Sequence, residues 1–122
     1  MYSDAFGRNW QGPYAFAADQ ISDHAPDGFG VYQVLFNGFG ETQVVYIGIA
    51  TGDTIRGRLR KHCTGSGNAS LARRQASGYQ FIFYSCDPTT AKQIESHIVT
   101  LHKPPYNTRS EHKHFIPSIA VH

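Results

Sequence analysis

The chain is poor in charge. Asp, Glu, Lys and Arg make up 16% of its 122 residues, against about a quarter in ordinary soluble domains. It has two cysteines, Cys63 and Cys86, too few for the disulfide framework of small secreted domains, so both are expected as reduced thiols. No apolar run approaches the ~20 residues of a membrane span. The N-terminus has no basic-then-apolar signal pattern, and a cytoplasmic protein is the expectation. Internal repeats and low-complexity stretches are missing too. What is there, 40% apolar and 13% aromatic residues, fits one globular domain with one core and no room for a separate recognition module.

The charge is unevenly spread. Residues 1–55 hold six acids against Arg8 alone, a net of −5, whereas residues 56–122 hold ten bases against three acids, a net of +7. Six bases fall between Arg56 and Arg74 with no acid among them. Such a patch suits a polyanion such as nucleic acid, or an acidic protein partner.

Turn chemistry and periodicity predict an α+β domain: a small three-stranded antiparallel or mixed sheet flanked by helices. An opening segment, residues 1–27, reads as an extension packed on the core, with a short helix near Ala15–Ser22 and Trp10 as a clasp. Gly30–Phe36 and Val44–Ile49 are β-branched and aromatic, and the glycine-rich stretch between them makes a hairpin. Thr54 opens a helix that runs to about Cys63, and a second short one is expected at Ser70–Gln75. Tyr79–Ser85 is the third strand, with Tyr79, Phe81 and Phe83 as core rather than as base-stacking platforms. Asp87-Pro88 caps a helix running to about His102, where Pro104-Pro105 ends it. Residues 110–122 form a basic, His-rich tail.

Glu95 stands out in that last helix. At 100° per residue, Ala91, Ile94, Ile98, Val99 and Leu101 form an apolar arc, and Glu95 falls inside it. Burying a lone carboxylate costs several kcal/mol, so it needs a cation, a donor set or a metal. In the basic helix, Ile55, Leu59 and Cys63 form the apolar stripe, while Arg58 and His62, four residues apart, share the adjacent face. An arginine fork grips two phosphate oxygens at once, and a histidine one turn away moves protons. Arg56, Arg60 and Lys61 point elsewhere, toward water or a backbone phosphate. His97, His102, His112 and His114 lack reliable zinc-ligand spacing.

Gly30-Val31-Tyr32 opens the first strand of the hairpin, Tyr46-Ile47-Gly48 closes the second, Arg58-Leu59 and His62 follow, then Glu95, then Pro105-Tyr106-Asn107. With these five elements in order the chain resembles the GIY-YIG nuclease superfamily over residues 28–109. The resemblance implies a compact α/β nuclease domain that hydrolyses DNA phosphodiesters with one divalent metal, Mg²⁺ or Mn²⁺. It implies Glu95 as the metal ligand, Arg58 as the phosphate clamp, Tyr32 and Tyr46 in the same cleft, and Asn107 as the holder of the network. His62 leans toward the restriction-type members.

The family's usual base is the first-motif tyrosine, here Tyr32. Forming a tyrosinate at pH 7 from an ordinary pKa of ~10 costs roughly 4 kcal/mol, which His62 with its reference value near 6.5 avoids. Tyr32 is therefore expected as base, with His62 as assistant or rival. Arg56, Arg60, Lys61, Arg73, Arg74 and Lys103 are the expected contacts to DNA, taken as double-stranded. Sequence specificity is expected to be weak, built from residues 1–27 and the tail, or supplied by a homodimer or a targeting partner. The alternative is a catalytically silent nucleic-acid-binding module of the same fold.

Overall fold

The computed structural model describes residues 2–3, 7–38, 41–64 and 78–104. The elements in chain order are β1 (Tyr2–Ser3), β2 (Asn9–Ala15), α1 (Ala18–His24), β3 (Gly30–Gly38), β4 (Glu41–Ala50), α2 (Ile55–Thr64), β5 (Tyr79–Ser85) and α3 (Pro88–His102). The sheet runs β1-β2-β5-β3-β4 and every pairing is antiparallel. Four strands make its body, and β1 adds a two-residue pairing at one edge. The expectation of three strands is therefore corrected. Asn9–Ala15 pairs along β5, but Gly12-Pro13 interrupts its ladder where the register shifts between Gln11 and Tyr14. In sequence a Gly-Pro dipeptide reads as a turn, and this hides the strand.

The two faces of the sheet carry separate apolar layers. Tyr32, Val34, Tyr46, Phe81 and Phe83 pack with Ile21 of α1 and with Ile55, Leu59 and Cys63 of α2. Val31, Leu35, Ile47 and Ile82 pack with Trp10 and with Ala91, Ile94 and Ile98 of α3. Trp10 is fully buried in that second layer. Phe81 and Phe83 are buried core residues, as their alternation suggested.

Helix ends follow local chemistry. The Asp87 carboxylate accepts a hydrogen bond from the Thr90 N–H (3.1 Å), with Pro88 in the first turn. Lys103 ends α3 in the left-handed conformation, φ 47°, because the residue before a proline avoids the helical region. Thr54 Oγ1 accepts from the Gly57 N–H (3.0 Å) and caps α2. Helix α1 begins three residues later than expected, since Ala17 at its start offers no capping side chain. The short helix expected at Ser70–Gln75 and the tail lie outside the described residues. Cys63 and Cys86 are free thiols, and burial pushes the Cys63 pKa up to about 11. Among the described residues no helix is long and apolar enough to cross a membrane.

Candidate active site

The site is built where β3, β4 and α2 meet. Tyr32 stands opposite Gly48 in the β3–β4 register. A Cβ on Gly48 would overlap the Tyr32 ring and hydroxyl; the glycine leaves space for that ring to lie across the strand. Gly30 has a similar reason: a Cβ there would run into the Tyr84 carbonyl of β5. Neither need is visible without the register.

Tyr46 reaches the same face through an irregularity. The register passes from Val34 opposite Tyr46 to Leu35 opposite Val44, so Val45 has no opposite number. Val45 and Tyr46 both join the layer under α2. A bulge of this kind re-aims side chains beside functional sites.

Helix α2 brings His62 and Arg58 onto these tyrosines. His62 is 2% exposed, and its Nε2 lies 2.7 Å from the Tyr32 hydroxyl. Its ring meets Tyr46 edge-on, with centroids 4.9 Å apart. Arg58 lies close enough to the Tyr32 hydroxyl to be stabilised by it. Its pKa is pushed up, first by the neighbouring Tyr32 oxygen and against the opposing effect of burial, with Tyr46 and Asp53 adding to the rise. Arg58 thus stays charged at any physiological pH. Its Nε is buried and receives no acceptor among the described residues. It lines an open cavity of about 260 Å³ together with Ile49, Thr51, Gly52 and Asp53.

Glu95 comes from α3, which packs on β4 and β3, and it is 2% exposed among Ala91, Ile94 and Ile98. Its Oε1 receives no hydrogen bond among the described residues, while the residue as a whole is engaged.

The basic residues divide. Arg56 Nε donates to the Ala25 carbonyl (2.9 Å), tying α2 to the end of α1. Arg60 donates to Ser22 Oγ (2.7 Å) at the surface. Lys61 Nζ lies 2.8 Å from Asp53 Oδ2. Lys103 is exposed at the end of α3. Arg73, Arg74 and Asn107 lie outside the described residues. Sequence reasoning missed Asp53 because an acid just before a helix reads as a capping residue and nothing more.

The Gly48 geometry makes a direct prediction. Gly48→Ala should displace the Tyr32 ring and destabilise the fold by about 1–3 kcal/mol, the usual cost of overpacking a filled site. Urea denaturation measures it, and an unchanged midpoint would show that the ring does not need that space.

Comparison with known proteins identifies the family and the fold. The family model described as the GIY-YIG catalytic domain matches residues 28–108. The N-terminal endonuclease domain of UvrC from Thermotoga maritima, solved with magnesium as its catalytic divalent cation, is 23% identical with a TM-score of 0.55. The match covers 74% of this chain and 98% of that one. A point mutant of that domain, also bound to its catalytic divalent cation, gives 21% identity and a TM-score of 0.55 over 75% of this chain and 98% of that one. These likenesses establish the fold. Among curated proteins, none matches the chain in sequence. The family model spans about two-thirds of the residues and contains both tyrosine motifs, Arg58, His62 and Glu95, and the chain belongs to the GIY-YIG catalytic domain family.

Proposed function

We propose that this chain is a metal-dependent endonuclease that hydrolyses DNA phosphodiester bonds, acting on duplex DNA with a single divalent cation, Mg²⁺ or Mn²⁺. The observation that carries it is the Tyr32 hydroxyl, 2.7 Å from His62 Nε2 and beside the charged Arg58 that lines an open cavity. A proton-accepting pair behind a phosphate-sized cation is what hydrolysis of a phosphodiester requires.

Glu95 has the chemistry of the metal ligand, although α3 covers the other face of the sheet from the layer that holds Tyr32 and Tyr46. It is a hard oxygen donor, and its Oε1 is buried with coordination capacity to spare. Among the described residues no three His, Cys, Asp or Glu side chains gather into a cage, so water and substrate oxygens would complete the shell, as suits Mg²⁺. When bound, the cation supplies charge neutralisation on the phosphate.

The remaining work falls to the protein's own groups. Arg58 takes two oxygens of the scissile phosphate through its fork and stabilises the charge that builds on them. A water oxygen attacks phosphorus and its proton passes to the Tyr32 oxygen while the hydroxyl's own proton passes to His62 Nε2; the opposite P–O bond breaks, and the alkoxide released takes a proton from solvent. Tyr46 packs His62 in place through its edge-on contact. Asn107 would tie the network after α3, and Arg60, Arg73, Arg74 and Lys103 would meet backbone phosphates. His62 leans the chain toward the restriction-type members.

Supercoiled plasmid tests this. Nicked or linear product with Mg²⁺, absent in EDTA, is the expected result. Intact plasmid with both Mg²⁺ and Mn²⁺, alongside salt-dependent duplex binding, would replace the nuclease with a silent nucleic-acid-binding module.

A further inference from the structure

Asp53 is an acid in the wall of the cavity assigned above to a phosphodiester. Like charges repel across a few ångströms even in water, so a carboxylate at that point works against the ligand unless it is occupied.

It is occupied. Asp53 Oδ1 accepts a hydrogen bond from the Thr54 N–H at 2.7 Å, and Oδ2 lies 2.8 Å from Lys61 Nζ. The carboxylate rests against the first turn of α2 at Gly57, where a Cβ would overlap it. Gly57 makes the niche, and Lys61, one turn further on, folds down over it. Lys61 and then the Thr54 N–H hold the Asp53 carboxyl below the usual carboxylate range, and Arg58 adds to the effect. Both partners remain open to solvent, with side chains 54% and 34% exposed. An exposed pair of this kind is weak and exchanges readily.

We propose that Asp53 is an ionic latch: it keeps Lys61 folded beside the Arg58 cavity and withheld from phosphate until a DNA strand displaces it. Asp53 thereby sets how strongly the site takes a phosphodiester backbone. In the latched state Asp53 and Lys61 pair, and among the described residues that line the cavity Arg58 is the remaining cation. A strand that enters exchanges its phosphate for the carboxylate on Lys61, and Asp53 keeps the Thr54 N–H and the neighbouring guanidinium. Indiscriminate binding to any polyanion is restrained in this way. The inference rests on the nuclease assignment of the same cavity.

The test is a fluorescence-anisotropy titration of the purified chain with a short DNA duplex in EDTA, repeated over a salt series. Asp53→Asn keeps the Oδ1 acceptor for Thr54 but loses the charge. It should lower Kd about fivefold at low salt, a modest effect for one like charge near the surface. The slope of log K against log salt should steepen by about 0.9, one further phosphate contact. Lys61→Met should cost little in the wild-type background and should erase both gains in the Asp53→Asn background. That coupling separates a latch from a cap, because a capping role would change only the melting temperature, recorded alongside. Unchanged affinity in Asp53→Asn, or an equal cost of Lys61→Met in both backgrounds, overturns the latch and leaves the nuclease assignment standing. A wild type that binds no duplex at all overturns both.

Discussion

Glu95→Gln should abolish Mg²⁺-dependent plasmid cleavage, with a loss on the order of 10³-fold or more, while duplex binding in EDTA survives. Glutamine has the same shape, so the apolar contacts of α3 with Val31, Leu35 and Ile47 are kept. What disappears is the negative charge, and a neutral amide is a poor ligand for a hard cation. Burial sharpens the expectation: a carboxylate 2% exposed on the sheet-facing side of a helix is retained against a desolvation cost of several kcal/mol. A second readout needs no catalysis. A ligand that binds only the folded state stabilises it, so saturating Mg²⁺ should raise the wild-type melting temperature, on the order of 10 °C at a hundredfold excess over Kd. Glu95→Gln should show no such rise. A variant that cleaves at more than about a tenth of the wild-type rate, or melts with the same Mg²⁺ shift, would remove Glu95 from the metal site, since ligand loss costs far more than tenfold.

Much of this was legible in sequence, for identifiable reasons. Strands β3, β4 and β5 announce themselves because β-branched and aromatic residues fill both faces of a sheet covered on either side. Helix α3 is bounded by Asp87-Pro88 and Pro104, so its period could be read and Glu95 placed in its buried arc. Strand β2 was illegible because its ladder is broken at Gly12-Pro13, and α1 shifted because Ala17 gives no capping signal. The site divides in the same way. Arg58 and His62 share a helix face, and their common object is the Tyr32 hydroxyl. That object lies on a strand some 30 residues away, and only tertiary packing brings it there. Arg56, expected as a phosphate contact, also donates its Nε to the Ala25 carbonyl. A helix period says which way a side chain points; it does not say which neighbouring carbonyl waits there.

We propose that Tyr32 and His62 share the work of the base. The tyrosine oxygen lies beside a fixed positive charge and 2.7 Å from an imidazole nitrogen. With the histidine proton on Nδ1, the hydroxyl donates to Nε2. On that proposal His62 takes the tyrosine proton as the water gives up its own, and neither residue bears the whole cost alone. Tyr32→Phe and His62→Ala should each lower kcat by on the order of 10²–10⁴-fold, the range for loss of a general base. The double variant should be no worse than the poorer single, as for residues that act as a unit. Their pH profiles should differ in kind. Without His62 the hydroxyl must give its proton to solvent, so the rate of His62→Ala should climb steadily toward the ordinary tyrosine range near pKa ~10. Tyr32→Phe has no proton to give, and alkali should not rescue it. Additive losses would mean two independent roles. A Tyr32→Phe variant restored at high pH would give the base to His62 alone and leave Tyr32 as the residue that positions it.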